Sequence, residues 1–261
     1  MEEIPNSKEL ARLARISVLK MTSRAGASHV ASALSSIDIL SVLFSDFTLE
    51  KNEHTLIFSK GHAASAYYAI LFLKNIISET EYLSFGKDGS LLGGHVSHQA
   101  SEQIVLSTGS LGHGLPYGIG IALAEKVKNS SKKTFVLISD GECDEGTTWE
   151  SALIANKLDL SNLIVIIDRN KIQSLGQTEE IMPLEPLEEK WKSFNWKTQT
   201  IDGHSHTELK EAINSSKGPF CIIANTIKGK GVSFMENSVL WHYRPPSVDE
   251  LTMALSELGG N

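Results

Sequence analysis

The sequence predicts an α/β fold: a doubly wound, mostly parallel sheet with helices on both faces. Three observations carry that prediction. The β-rich runs Thr134 to Ile138, Leu163 to Ile167 and Phe220 to Ala224 are continuously apolar rather than alternating, the pattern of strands covered on both sides. Segments with helical periodicity lie between and before them. The resulting order of strand, helix, strand, helix is the one that builds a parallel sheet.

Taken along the chain, residues 7–22 place Leu10, Leu13, Ile16 and Leu19 at helical spacing, an ordinary core or interface stripe with no chemistry of its own. Residues 36–46 and 63–75 read as further helices, the second apolar nearly all round and therefore buried. Ser78 with Glu81, Thr147 with Glu150 and Ser247 with Glu250 have the spacing of capping boxes. No repeat, low-complexity tract or Pro/Ser-rich linker interrupts the pattern, so 1–261 reads as one domain. Residues 1–6 and Gly259–Asn261 have little to bury and are expected to fray.

The bulk properties narrow the function classes. With 261 residues, 41% hydrophobic and 21% charged, the chain can bury one sizeable core. Its longest purely aliphatic run, Leu163 to Ile167, falls far short of the roughly 20 residues of a membrane span. The start Met-Glu-Glu-Ile-Pro-Asn is acidic and polar, unlike a signal or transit peptide; a cytoplasmic protein with no membrane partner is expected. A net charge of −7, without blocks of like charge, argues against a nucleic-acid partner. Cys143 and Cys221 lack zinc-site spacing and read as buried, unbonded thiols.

Ligands of such folds bind beyond the carboxyl ends of the strands. There Ile138 runs into Ser139-Asp140-Gly141, and Ile167 runs into Asp168-Arg169-Asn170. If the two strands are neighbours, Asp140 and Asn170 emerge on one edge, and a carboxylate with an amide oxygen suits Mg²⁺ or Ca²⁺. Gly141 would let the backbone approach a diphosphate, and a helix starting near Thr147 would add the partial positive charge of its N-terminus. By itself, an Asp-Gly pair after a strand is more often a plain turn.

The spacing of these residues resembles the metal motif of thiamine-diphosphate enzymes, a Gly-Asp-Gly followed some thirty positions later by Asn. The resemblance implies that Asp140, Asn170 and the backbone carbonyl of Ile172 hold Mg²⁺ (or Ca²⁺). Ser139 stands where the family has the first Gly, and a small residue fits there. Three further segments narrow the family: Ser107-Thr108-Gly109-Ser110-Leu111-Gly112-His113-Gly114, Asp140-Gly141-Glu142-Cys143-Asp144-Glu145-Gly146, and the run from Thr226 to Asn237 with Trp241-His242. Their order, from about Leu10 to Leu258, is similar to the N-terminal domain of transketolase.

That resemblance implies a thiamine-diphosphate-binding fold. It sets Gly109, Ser110 and Leu111 against the aminopyrimidine ring, and Gly141, Glu142, Asn170, His62 and His242 toward the cofactor. A full transketolase continues through a pyrimidine-binding domain, which supplies the carboxylic acid for the aminopyrimidine, and a C-terminal domain. The chain resembles the first half of split versions of the family. The implied partner is a second subunit carrying the pyrimidine-binding domain, in an α₂β₂ assembly.

Nine histidines occur. One beside a glycine is, by itself, more often a turn or surface residue, but four fall in order where the family has active-site histidines: His29, His62, His95 and His242. In ketol transfer a substrate hydroxyl loses a proton as the neighbouring C–C bond breaks, and an acceptor aldehyde gains one; histidine titrates in the range to do both. The resemblance turns His29, His95 and His242 to the substrate hydroxyls, and His62 with His242 to the diphosphate. His113 is expected in a packing or supporting role, and His54, His98, His204 and His206 in solvent. Glu145 is either a carboxylate favoured by a helix N-terminus or, by resemblance, an interface group coupled to the partner's activating Glu.

The expected function is transfer of a two-carbon ketol unit from a ketose, expected to be phosphorylated, to an aldose. Two alternatives remain: the α chain of a 2-oxo-acid dehydrogenase, and a non-catalytic regulatory subunit that keeps the fold. A nicotinamide-binding domain is disfavoured, because no Gly-x-Gly-x-x-Gly follows an early strand.

Overall fold

In the computed structural model, residues 6–47, 49 and 53–260 are described. Among the described residues the sheet has five strands: β1 (Thr55–Phe58), β2 (Thr134–Ser139), β3 (Leu163–Arg169), β4 (Lys197–Asp202) and β5 (Phe220–Asn225). Their order is β1-β2-β3-β5-β4, and every neighbouring pair is parallel. The three apolar runs thus form the centre of the sheet. Their alternate residues enter two cores on opposite faces. Phe135, Leu137, Ile164, Ile166 and Ile222 join one core; Val136, Ile138, Val165, Ile167 and Ile223 join the other.

The first face is covered by α1 (Ser7–Ala25), α2 (Val30–Asp46) and α3 (Ala64–Leu73), with α9 (His206–Ser215) beside them; the second by α5 (Gly114–Val127), α6 (Gly146–Lys157) and α8 (Leu187–Ser193). Shorter helices are α4 (Glu79–Ser84) and α7 (Thr178–Ile181), and α10 (Val248–Glu257) packs on α1. Helix α1 begins at Asn6, whose side chain accepts from the amides of Lys8 and Glu9, and ends at Gly26 in the left-handed region. Its buried side is Leu10, Ala14, Val18 and Met21, so Leu13 and Ile16 of the expected stripe are only half-buried.

Several expectations need correction. Helix α2 starts at Val30, not residue 36, because Ala and Ser fill its first turns and blur the apolar period, although nearly every residue is buried. The strands β1 and β4 went unread: β1 has four residues, and β4 is a polar edge strand with only Ile201 buried. The boxes at Ser78/Glu81 and Ser247/Glu250 form. Thr147 does not cap; α6 starts at Gly146, and the Thr147 hydroxyl donates to the carbonyl of Gly112 instead. Of the ends expected to fray, residues 1–5 and Asn261 lie outside the described residues, Asn6 caps α1, and the amide of Gly260 donates to Leu255. Cys143 and Cys221 are buried and unbonded. No described helix is long and apolar enough to cross a membrane.

Candidate active site

Parallel pairing of β2 with β3 aligns Ser139 with Asp168, so the chain leaves both strands side by side. Asp140 and Asn170 therefore reach the same edge. A cavity of about 380 Å³ opens there, and Asp140, Gly141, Asn170, Ile172, Gly109, Leu111 and Glu145 all line it. So do His29, His62, His95 and His242. The ring of His29 is the hub, with centroids 4.8 Å from His242, 5.4 Å from His62 and 6.1 Å from His95.

His29 sits just before α2 with φ +67, a left-handed conformation costly for a side chain of this size. Its amide donates to the carbonyl of His242, which helps hold it there. Its Nδ1 is buried without a hydrogen-bond partner among the described residues, so one polar atom is left for a ligand. Burial, reinforced by the neighbouring His95, Lys228 and Lys60, pushes the His29 pKa down to about 4. Burial and Lys228 push His242 down to about 3, and burial with Lys60 drives His62 well below its ordinary value. These three imidazoles are neutral at physiological pH in the protein alone.

Asp140 is 2% exposed. Its carboxylate accepts from the amide of Lys171 at 2.8 Å and from Arg169 Nη1 at 3.2 Å. Burial raises its pKa; the Arg169 guanidinium opposes that. The Asn170 side-chain oxygen accepts from the amide of Ile172. Among the described residues, no three His, Cys, Asp or Glu side chains are grouped to hold a metal. The expected set is different: one carboxylate, one amide and one backbone carbonyl. Three hard oxygens fit a cation that completes its shell with water and phosphate oxygens.

Two glycines close the site. A Cβ at Gly61 would lie 2.2 Å from the carbonyl oxygen of Thr108, so only glycine lets the Ser59-to-His62 turn pack on the glycine-rich segment. Gly112 has φ +76, and a Cβ there would strike Thr147 Oγ1 and Glu145 Cβ.

Not every expected residue faces the cavity. Glu142 is fully buried and turned away from it. Its carboxylate accepts from Ser59, the amide of Gly112 and the amide of Ser139, binding three loops together. Ser110 is exposed beside the opening and is not among the lining residues. His113 is exposed, its Nδ1 2.8 Å from the carbonyl oxygen of Leu111. His98 is exposed as expected. His54 and His204 are half-buried and His206 is buried, contrary to the solvent-facing expectation; carboxylate and backbone partners in the interior take up their nitrogens.

Lys228 was missed. Its side chain is 1% exposed, and its ammonium donates to the carbonyl of Ile172 at 2.9 Å and lies 2.8 Å from His242 Nδ1. Burial and the neighbouring Lys60 lower its pKa to about 8. A buried cation at the rim of a pocket suits an anionic ligand. The one sequence signal was its place at the head of a Lys-Gly-Lys-Gly run shortly after a buried strand. Lys60 is fully buried and paired with Asp168, which also accepts from Ser35 and Thr226.

Residues 6–261 match the family model described as "Transketolase, thiamine diphosphate binding domain". The chain is 35% identical to one subunit of the apulose-4-phosphate transketolase of Phocaeicola vulgatus, over 98% of this chain and 93% of that one. It is 36% identical to the 6-deoxy-6-sulfo-D-fructose transketolase subunit SqwG of a Clostridium species, over 95% and 94%. Its fold superposes on the crystal structure of transketolase from Campylobacter jejuni with a TM-score of 0.90 and 28% identity, covering 99% of this chain and 43% of that one.

Proposed function

The chain belongs to the family of transketolase thiamine diphosphate binding domains, and on that premise we propose that it is the cofactor-binding subunit of a split transketolase, moving a two-carbon ketol unit from a phosphorylated ketose to an aldose. The observation that carries this is one cavity lined by Asp140, Asn170, Ile172, Lys228 and four histidines. Support comes from relatives of similar length that are themselves transketolase subunits, which also sets aside the 2-oxo-acid dehydrogenase alternative. The intact polar lining disfavours a non-catalytic subunit.

Thiamine diphosphate, when bound, supplies a thiazolium carbon that takes up and later releases the two-carbon unit. Asp140, Asn170 and the Ile172 carbonyl would hold Mg²⁺, and Lys228 with His62 and His242 would face the diphosphate. Gly109, Ser110 and Leu111 would lie against the aminopyrimidine. His29, at the centre of the histidine cluster, and the exposed His95 would take the proton from the ketose hydroxyl and return one to the acceptor aldehyde. The neutral imidazole of His29 is in the right state to accept the first proton. Glu145, exposed at the start of α6, would meet the partner.

The second subunit would carry the pyrimidine-binding domain, in a cytoplasmic α₂β₂ enzyme. The test is reconstitution: the chain alone should show no ketol transfer and weak cofactor binding, and adding the partner should restore both. Full turnover by this polypeptide alone would refute the split reading.

A further inference from the structure

Asp38, on α2, is 6% exposed and lies outside the cavity. Its two carboxylate oxygens meet Arg15 Nη1 at 3.2 Å and Nη2 at 2.5 Å, His204 Nδ1 at 2.6 Å and His206 Nε2 at 3.0 Å. Two of these partners reach onward to the backbone of one turn. His204 Nε2 accepts from the amide of Ile227 at 2.8 Å, and Arg15 Nε donates to the carbonyl of Lys230 at 3.0 Å. An amide can only donate, so Nε2 presents its lone pair and the imidazole proton sits on Nδ1, toward Asp38. One carboxylate thus ties down both ends of the Ile227–Lys230 turn, and between those ends Lys228 reaches the opposite way, into the cavity.

We propose that His204 is a positioning residue: backed by Asp38, it fixes the amide of Ile227 and so sets the reach of Lys228 onto the cofactor's diphosphate. This rests on the reading of Lys228 as a diphosphate ligand. An apolar side chain could fill the same space. What the imidazole adds is an oriented acceptor for a half-buried amide, held in one tautomer by a carboxylate, the device by which carboxylates orient histidines elsewhere. The neighbouring ties, from the amide of Gly229 to the carbonyl of Ala31, from the amide of Asn237 to the carbonyl of Lys228 and from Thr226 to Asp168, hold other points of the turn and its flank but not that amide.

The test is a calorimetric titration of thiamine diphosphate, with Mg²⁺, into the enzyme assembled with its partner subunit. It compares wild type, His204→Leu, His204→Gln, Lys228→Met and the double variant His204→Leu/Lys228→Met. The amide oxygen of Gln can accept from Ile227 where Leu cannot. Affinity should fall about 10-fold in His204→Leu and recover to within about 3-fold of wild type in His204→Gln, the scale of one buried hydrogen bond. In the Lys228→Met background, His204→Leu should cost less than about 2-fold, because the two residues act along one path. If His204→Leu does not fold, His204→Asn, whose shorter amide reaches Asp38 but not Ile227, replaces it in both comparisons. Wild-type affinity in the Leu variant, equal losses in Leu and Gln, or losses that multiply in the double variant would overturn the proposal. A wild-type complex that binds no cofactor would instead overturn the reading of the cavity itself.

Discussion

Lys228 aims its ammonium group at the carbonyl oxygen of Ile172, 2.9 Å away, the same oxygen proposed to ligate the metal. On the other side of the site, the guanidinium of Arg169 lies 3.2 Å from Asp140. Two fixed positive charges therefore already occupy the partners a divalent ion would use.

A bare divalent ion should bind poorly for that reason, and well only together with the diphosphate, which supplies negative charge and gives Lys228 another partner. Calorimetry with Mg²⁺ or Ca²⁺ alone should show little binding, and adding thiamine diphosphate should bring it in. Asp140→Asn, which removes a charge, and Asn170→Ala should both weaken metal-dependent cofactor binding. Full metal affinity without diphosphate, or unchanged cofactor affinity in both variants, would count against this arrangement.

His29→Asn and His95→Ala test the proton-transfer roles. Asn tolerates the left-handed backbone at position 29 better than Ala would. Both variants should still bind cofactor in the assembled enzyme, while ketol transfer falls by roughly 10²-fold or more, the usual scale for a lost acid–base group. Near-normal turnover in both would leave these histidines without a catalytic part.

His29 also predicts how stability depends on pH. Its folded pKa is about 4, while the unfolded side chain titrates near 6.5. Between those values the unfolded chain binds more protons, so stability rises with pH and is lost as the solution is acidified from about 6.5 toward 4. Urea midpoints at pH 7 and pH 5 should differ less for His29→Asn than for wild type. An equal loss in the two proteins would show that the buried imidazole is not the cause.

The side chain of Glu142 braces three loops. Glu142→Ala would leave the amides of Gly112 and Ser139 and the hydroxyl of Ser59 without their acceptor. At about 1–3 kcal/mol for each unsatisfied buried group, with some relief from entering water, an overall loss of about 3 kcal/mol is expected in chemical denaturation. Glu142→Gln, which keeps one oxygen, should lose less. A loss below about 1 kcal/mol in Glu142→Ala would mean that the three loops hold without it.

The sequence by itself determined the parts whose cause is local or periodic. Strands β2, β3 and β5 were legible because burial on both faces writes a continuous apolar run, as in Leu163 to Ile167. Asp140 and Asn170 were legible as a pair because each directly follows such a strand and the motif spacing is fixed by the fold. The polar edge strand β4 and the first turns of α2 carried no such mark: one is mostly solvated, and the other is buried through small Ala and Ser residues. Only the tertiary structure decided the rest. Asp38 meets His204 across 166 positions, and Lys228 meets Ile172 across 56. No periodicity encodes those bonds, because they depend on how α2, β3 and the loops after β4 and β5 come together at one end of the sheet. For the same reason His204 and His206 read as surface residues, although the fold encloses them around a carboxylate.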